Sequence, residues 1–390
     1  MMKRSKIKNE PPRSNPQGIM TENSFLLCHS GLSRIFLKKD SRQAGMTIRK
    51  PCSMTTGNYK LKNPLILIFV LCILHFFMFC SISFADNIRV LIINEVYQKI
   101  PSKFEKIEKI GSVRGDLLVM GSRYSGDIDV WKGNNGLYLI NELPIEDYVK
   151  DVVIAEVGSN WEMEALKAQA VISRTYAVYQ KKMNGDSIYH IASSVLHQVY
   201  KGNNPDVRVA YAVAETSGEI LTFNDKPIEA FYHSTCGGRT ENPEDVFMKS
   251  YPYLKSVESN CEISPYWTWA RRIRLTEIEK TLNLSGIKEI SIKSYTSTNR
   301  VKQLDITNES GITTINATDF RKALGWSILP STNFKMAHDG DSILFEGKGY
   351  GHGVGLCQWS ALQMAREGKN YKEILSFFYP GTMIQMYEGR

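Results

Sequence analysis

The feature that most constrains the fold is the stretch 141–182, NELPIEDYVKDVVIAEVGSNWEMEALKAQAVISRTYAVYQKK, which predicts two helices joined by a short bend. In the first helix, Ile145, Val149 and Val152 share one face. Glu156 takes the next place on that face. Pro144 suits the first helical position, where its missing N–H costs nothing. The sequence therefore predicts a carboxyl group drawn into an apolar helix face.

Such a carboxyl group loses water around its charged form, and this loss raises its pKa. It can then stay protonated near neutral pH and act as a general acid. The alternative is a partly exposed glutamate at a helix end, held by Lys167 or Arg174.

The second helix is expected to begin with a capping box of Ser159 and Glu162. Lys167 and Arg174 are seven residues apart on it, so they stack on one face.

The chain carries a net charge of +8 over 390 residues, and this charge is concentrated at the N-terminus. Residues 1–64 hold 13 Lys/Arg against 3 Asp/Glu, and the remainder holds 35 against 37. The basic character belongs to this leader, so no nucleic-acid-binding surface is expected.

An uncharged apolar run at 65–79 follows the leader, with small residues at 83 and 85. This pattern predicts a signal peptide cleaved after Ala85, or else a retained membrane anchor at 65–85. In either case residues 86–390 are expected outside the cytoplasm, with the N-terminal segment as the only membrane contact. A start at Met54 or Met46 would give a leader of ordinary length.

Beyond residue 85 the chain has three cysteines, Cys236, Cys261 and Cys357. Because an exported compartment permits disulfides, we expect Cys236 and Cys261 to pair.

The order of predicted elements favours an α+β fold: antiparallel sheets, the helix pair and an inserted β-rich subdomain. A first antiparallel sheet is expected from strands at 88–93, 116–120, 127–131 and 136–140. A third helix at 205–216 and a hairpin of 219–223 with 228–234 follow.

Residues 271–283 predict a strand turning into a helix. A meander of three strands is expected next, at 288–295, 300–306 and 311–315, and a short helix follows at 317–324. We therefore expect three exported parts, at 86–265, 266–338 and 339–390.

The segment FEGKGYGHGVGLCQW, residues 345–359, has five glycines in nine residues and runs into a helix. Glycine permits positive φ and close approach of the backbone to a ligand. A structural turn is the alternative. It is not a P-loop, because no Lys-Ser/Thr follows the last glycine.

Three stretches resemble the SpoIID/LytB family, which groups the stage II sporulation protein D and the amidase enhancer. They are LPIEDYVKDVVIAEVGSNWEMEALKAQAVISRTYA, FYHSTCGGRTENPEDVF and GYGHGVGLCQWSALQMAREGKNYKEILSFFYPGT. The resemblance covers roughly residues 86–385, and the motifs stand in the family's order.

The resemblance implies a peptidoglycan lytic transglycosylase that prefers glycan strands without stem peptides. The family's catalytic glutamate corresponds to Glu156, and its lysine and arginine correspond to Lys167 and Arg174. Such an enzyme needs one glutamate, because the C6 hydroxyl of muramic acid takes the place of water.

Four more residues lie in or beside the later motifs and are candidates for binding the glycan: Tyr232, Tyr350, His352 and Gln358. Trp161 and Trp359 could add a sugar-stacking surface, although Trp161 could equally belong to the core. No cofactor is expected. Some members hold zinc just before a Gln-Val-Tyr segment, but here that region has His190 and His197 and no cysteine.

Three alternatives stay open. The protein could be a peptidoglycan binder that stimulates a cell-wall amidase. A metal site could form from His233, Cys236, His352 and Cys357, although its spacings are loose for zinc. Cys357 or Cys236 could be a nucleophile activated by a histidine.

Overall fold

The computed structural model describes residues 86–92, 106–119, 121–134, 136–194, 197–202 and 206–389. The predicted leader at 1–64 and the predicted signal peptide or anchor at 65–85 lie outside these residues. Within the described residues, the longest apolar helices still fall short of what crossing a membrane requires.

Seven strands build the first part of the chain: β1 Asn87–Ile92, β2 Glu108–Val113, β3 Leu117–Val119, β4 Ser122–Tyr124, β5 Asp127–Gly133, β6 Gly136–Pro144 and β7 Ile191–Ala192. Five of them form a sheet in the order β2-β5-β6-β1-β7, and β3 pairs with β4. All neighbours are antiparallel except β1 and β7. The predicted sheet is confirmed for β1, β5 and β6. Strands β2 and β7 go beyond the prediction, because β2 is mostly exposed and polar and β7 has two residues.

The predicted helix pair is present as α1 (Ile145–Val157) and α2 (Met163–Met183). Val149 and Val152 on the predicted face of α1 have no exposed surface, which confirms the helical phase. The boundary is one residue later than expected, since Pro144 is the extended N-cap and the helix begins at Ile145.

The capping box predicted for α2 is wrong. Glu162 is itself the N-cap residue, and no side chain caps the helix. Its carboxylate instead accepts a 2.9 Å hydrogen bond from Nε of Arg366. The bend is therefore longer than the Ser159 pattern indicates.

The next elements are α3 Val207–Glu215, β8 Glu219–Phe223, β9 Lys226–Pro227, β10 Tyr232–His233 and α4 Pro243–Phe247. The third helix and the hairpin are confirmed, and Asn224 and Asp225 at the hairpin turn have φ of 51° and 58°. The second strand of this hairpin is β9 and not the predicted 228–234, since Tyr232 and His233 of that range pair with a different segment, described below.

The inserted part contains β11 Trp269–Arg274, α5 Leu275–Leu282, β12 Glu289–Tyr295, β13 Val301–Asn308, β14 Gly311–Asn316, α6 Ala317–Leu324, β15 Phe334–Asp339 and β16 Ser342–Gly347. The predicted meander is present as β12-β13-β14, and a second sheet has the order β11-β16-β15. These elements enclose their own core, which includes Leu304, Phe320 and Phe345. Because Phe345 lies on β16, this core continues past the boundary expected at residue 338.

The chain ends with β17 Leu356–Cys357, α7 Gln358–Arg366, α8 Tyr371–Phe378 and β18 Met383–Met386. Helix α2 lies between two further cores. Leu166 and Ala170 join the core of the first sheet, while Ala168 and Val171 join the core that contains α7 and α8. The fold is α+β, as predicted, and the central helix ties the first sheet to the C-terminal segment.

Candidate active site

Glu156 is held by three hydrogen-bond donors from distant parts of the chain. Its Oε1 accepts from the backbone N–H of Val199 at 2.9 Å and from the hydroxyl of Tyr232 at 3.2 Å. Its Oε2 accepts from Nε2 of Gln358 at 3.3 Å. The end of α1, the loop after β7, strand β10 and the start of α7 therefore meet at one carboxyl group.

Burial raises the pKa of Glu156 above its ordinary value, and it outweighs the lowering by the Val199, Gln358 and Tyr232 hydrogen bonds and by Lys201. The side chain is half-buried, so part of it stays accessible. A carboxyl group in this setting can hold a proton at higher pH than an exposed glutamate. The same three donors stabilise the charged form after the proton has left.

Tyr232 and Gln358 reach Glu156 because β10 and β17 pair in parallel, with Tyr232 opposite Leu356 and His233 opposite Cys357. Both were candidates for binding the glycan, and the structure places them on the carboxyl group itself. Gln358 is buried and Tyr232 half-buried. Their position assigns them to the orientation of Glu156, and direct contact with a glycan stays a prediction.

The glycine-rich segment permits the pairing of β10 with β17 because its backbone packs closely against the residues around β10. Gly349, Gly351 and Gly355 all have positive φ. A Cβ on Gly351 would lie 2.8 Å from Cβ of His233, and a Cβ on Gly355 would overlap the carbonyl oxygen of Phe231. The glycines therefore allow close approach between two segments of the chain, and backbone contact with a ligand stays a prediction.

A buried polar network supports the donors of Glu156. Gln358 Nε2 also donates to Oε1 of Gln169 at 3.3 Å, and Gln169 donates to Oγ of Ser173 at 3.1 Å. Gln198, next to Val199, accepts from the Tyr148 hydroxyl at 3.0 Å. Sequence analysis missed Gln169, Gln198 and Val199. Gln169 could have been found as a polar residue on the apolar face of α2.

Lys167 and Arg174 are both engaged in ion pairs with acidic residues of the protein. Arg174 has no exposed surface, and its guanidinium donates two 2.7 Å hydrogen bonds to the carboxylate of Glu146. Lys167 pairs with Glu164 at 3.3 Å and lies 3.9 Å from Glu215. Because Arg174 is fully buried, it can touch a glycan only if the core opens, and its assignment to glycan binding stays a prediction.

His352 and Tyr350 lie in aromatic surroundings. The ring of His352 lies 5.4 Å from that of Phe247 and 5.6 Å from that of His233, and its Nδ1 accepts from the Val354 N–H at 3.1 Å. Burial lowers the pKa of His352 to about 4, so the ring is neutral at physiological pH. Tyr350 lies 4.6 Å from the Tyr266 ring. Their contact with a glycan stays a prediction.

The two histidines before the Gln-Val-Tyr segment have local partners. The imidazole of His190 accepts from the N–H of Arg89 at 3.0 Å, and His197 lies 3.1 Å from the Tyr176 hydroxyl.

Trp161 and Trp359 form a half-buried aromatic pair with ring centroids 5.2 Å apart. Trp359 directly follows Gln358, so this pair stands beside the carboxyl site. A sugar face could stack on such a pair.

The predicted disulfide between Cys236 and Cys261 is not formed in this structure, and the pairing stays a prediction. Both thiols are free, with their Sγ atoms 3.4 Å apart, whereas a disulfide needs about 2.05 Å. The third cysteine joins them, since Sγ of Cys357 accepts from the backbone N–H of Cys236 at 3.2 Å.

Two family models match parts of this chain. The family model described as stage II sporulation protein matches residues 133–223, and a domain of unknown function (DUF8618) matches 244–355. An uncharacterized protein of Brachyspira hyodysenteriae is 36% identical, over 68% of this chain and 73% of its own length.

Stage II sporulation protein D of Bacillus subtilis is 34% identical, over 63% of this chain and 75% of its own length. The amidase enhancer of Bacillus subtilis is 28% identical, over 61% of this chain and 40% of its own length. The match to the sporulation protein spans three quarters of that relative, and the chain therefore belongs to the stage II sporulation protein D (SpoIID) family.

Proposed function

We propose that this protein is a peptidoglycan lytic transglycosylase that acts outside the cytoplasm, with Glu156 as its single general acid and base. The observation that carries the proposal is the Glu156 carboxyl group, which is half-buried, has a raised pKa and is held by three donors. The names of the relatives, a sporulation protein and an amidase enhancer, support a role in the cell wall.

In the first step, protonated Glu156 gives its proton to the glycosidic oxygen that leaves C1 of N-acetylmuramic acid. The carboxylate left behind is stabilised by Tyr232, Gln358 and the Val199 N–H. In the second step, the C6 hydroxyl of the same sugar attacks C1 and Glu156 takes its proton. The product is a 1,6-anhydro end, no water is consumed, and Glu156 returns to its starting state.

A single carboxylate suits this reaction, whereas ordinary glycosidases use two. The nearest acids along the chain after Glu156 are engaged elsewhere. Glu162 accepts from Arg366, and Glu164 pairs with Lys167. Because both carboxylates are held by these partners, neither Glu162 nor Glu164 is proposed as a second catalytic carboxylate.

The amidase-enhancer function is the second candidate, because one relative carries that name. In that case the same cleft would bind glycan strands without cleaving them, and a cell-wall amidase would be the partner. The placement of Lys167 and Arg174 in ion pairs is compatible with either function.

The test is digestion of defined glycan strands, with and without stem peptides, analysed by mass spectrometry for anhydro-muramic ends. Glu156→Gln keeps the size and polarity of the side chain but removes the transferable proton. We expect cleavage to fall by ~10²–10⁴-fold while strand binding survives.

Glu162→Gln is the matched control, since this glutamate pairs with Arg366 on the surface, and it should cleave like the wild type. Wild-type cleavage by Glu156→Gln would refute the catalytic assignment. A wild type that binds strands and stimulates an amidase, but leaves no anhydro ends, would establish the enhancer function.

A further inference from the structure

Three buried thiols meet at a place that the proposed reaction does not use. Cys236, Cys261 and Cys357 have no exposed surface, and their Sγ atoms all lie within 4.8 Å of one another. They come from three separate stretches: the loop after β10, the loop before β11 and the last residue of β17. All three cysteines of the described residues therefore lie in one cluster.

We propose that Cys236, Cys261 and Cys357 form a binding site for a thiophilic metal ion, with Zn²⁺ as the natural occupant. Zinc binds thiolate sulfur at about 2.3 Å, so the sulfur atoms of a tetrahedral site lie about 3.8 Å apart. The 3.4 Å separation of Cys236 and Cys261, with all three atoms within 4.8 Å, brackets that spacing. A disulfide would use two of the three thiols and leave the third buried beside it.

The surroundings of the cluster favour thiolates, which are the metal-binding form of cysteine. The backbone N–H of Cys236 points at Sγ of Cys357 at 3.2 Å. A backbone N–H donor of this kind stabilises the charged form of a sulfur atom.

A buried cation stands beside the cluster. Arg300 is 2% exposed, and its Nη2 donates to the carbonyl oxygen of Cys236 at 2.5 Å. Its Nε lies 3.7 Å from Glu241, while its Nη1 is buried without a hydrogen-bond partner among the described residues. Three thiolates around a divalent ion carry one net negative charge. The neighbouring Arg300 guanidinium can offset this charge.

His233 is the candidate for a fourth donor, although its ring nitrogens do not belong to the group of ligand atoms that lie within 4.8 Å of one another. The parallel register sets it opposite Cys357, on the same face of the strand pair. Its Nδ1 lies 3.1 Å from the carbonyl oxygen of Val354, while Nε2 is buried without a partner among the described residues. Donation by Nδ1 to a backbone carbonyl leaves the Nε2 lone pair free, which is the usual state of a metal-binding histidine.

A metal at this place would fasten the two segments that carry the donors of Glu156. Cys357 directly precedes Gln358, and Cys236 follows Tyr232 by four residues. The role is structural, and the site stands whether or not the protein cleaves glycan.

The experiment uses the full chain purified under reducing conditions and supplied with Zn²⁺, followed by removal of unbound metal. We expect one zinc ion per chain by elemental analysis, and Co²⁺ in its place should give thiolate-to-metal absorption. The three thiols should resist alkylation until a chelator removes the metal. Cys357→Ser should lower the zinc content to background.

Because Cys357→Ser could fail to fold, the wild type is also tested by itself. Removal of zinc with a chelator should lower the melting temperature, and readdition of Zn²⁺ should restore it. Non-reducing peptide mapping that finds a Cys236–Cys261 disulfide in the folded protein would overturn the proposal. Folded, zinc-treated protein that binds no metal and leaves three reactive thiols would overturn it as well.

Discussion

At the scale of single residues, the surroundings of Glu156 set the pH range in which it is protonated and can act as a general acid. Burial raises its pKa, and the three donors oppose that rise. A general acid must be protonated to work, so activity should be lost as pH rises through this pKa. The alkaline limb of the pH–rate profile therefore reports the balance between burial and hydrogen bonding.

Tyr232→Phe should move that alkaline limb to higher pH. The Tyr232 hydroxyl donates to the Glu156 carboxyl at 3.2 Å and lowers its pKa. Without this donor the charged form is less stable, the pKa rises and the protonated acid persists further into the alkaline range. The measurement is kcat/KM for release of anhydro ends between acid and alkaline pH.

Tyr211→Phe is the control for this prediction, because Tyr211 lies on α3 and is 53% exposed. It should leave the limb in place. An unchanged limb in Tyr232→Phe would mean that another group sets the alkaline pKa.

At the scale of elements, the face of α2 that carries Lys167 and Arg174 joins helices to one another. Arg174 binds Glu146 at the start of α1 and donates to the carbonyl oxygen of Glu219 at 3.1 Å. Lys167 keeps 15% side-chain exposure and pairs with Glu164 of its own first turn. Two cations with the same helical phase thus differ in burial and in energetic weight.

Arg174→Met should destabilise the protein by about 3 kcal/mol, since it leaves the Glu146 carboxylate without its partner. This value lies at the low end for buried pairs because the Glu146 side chain keeps 34% exposure. Lys167→Met, the matched variant on the same helix face, should cost under about 1 kcal/mol. Urea unfolding of both variants gives the comparison.

In Arg174→Met and Lys167→Met, any loss of glycan binding should be explained by the loss of folded protein. The removal of a positive charge should have no separate effect on binding. A different result would contradict this prediction: Arg174→Met could keep the wild-type free energy of unfolding and still lose glycan binding. Arg174 would then contact the glycan, and its buried position would not be the one in which it acts.

At the scale of the whole molecule, the candidate site depends on the joining of two segments more than a hundred residues apart. Residues 231–236 lie against 349–357 with hydrogen bonds between Thr235 and Tyr350 in both directions, at 3.0 and 2.8 Å. The inserted part with its own core lies between them in the chain. The insertion must therefore fold without separating the two segments.

Gly355→Ala should prevent this close approach. Its φ of +72° disfavours any other residue, and a Cβ would overlap the carbonyl oxygen of Phe231. Gly340→Ala is the matched control, because Gly340 has a φ of +64° but nothing within 4 Å of its added Cβ. Gly355→Ala should cost at least about 2 kcal/mol more than Gly340→Ala in urea unfolding. Equal losses in the two variants would show that the contact with Phe231 is not needed.

The sequence by itself determined the elements whose pattern is local. The helix pair, the phase that places Glu156 after Val149 and Val152, and the hairpin at Asn224-Asp225 follow from residues within a few positions of one another. The glycine-rich motif and the two other motifs also identified the family, because each is a continuous stretch.

Only the tertiary structure decided which residues meet. It placed Tyr232 and Gln358 on Glu156, buried Arg174 against Glu146 and gathered three thiols where the sequence predicted a disulfide. Lys167 and Arg174 have the same helical phase, and only the elements that cover them leave one partly exposed and bury the other completely. Burial and long-range pairing depend on which segments pack together, and no periodicity within one segment contains that information.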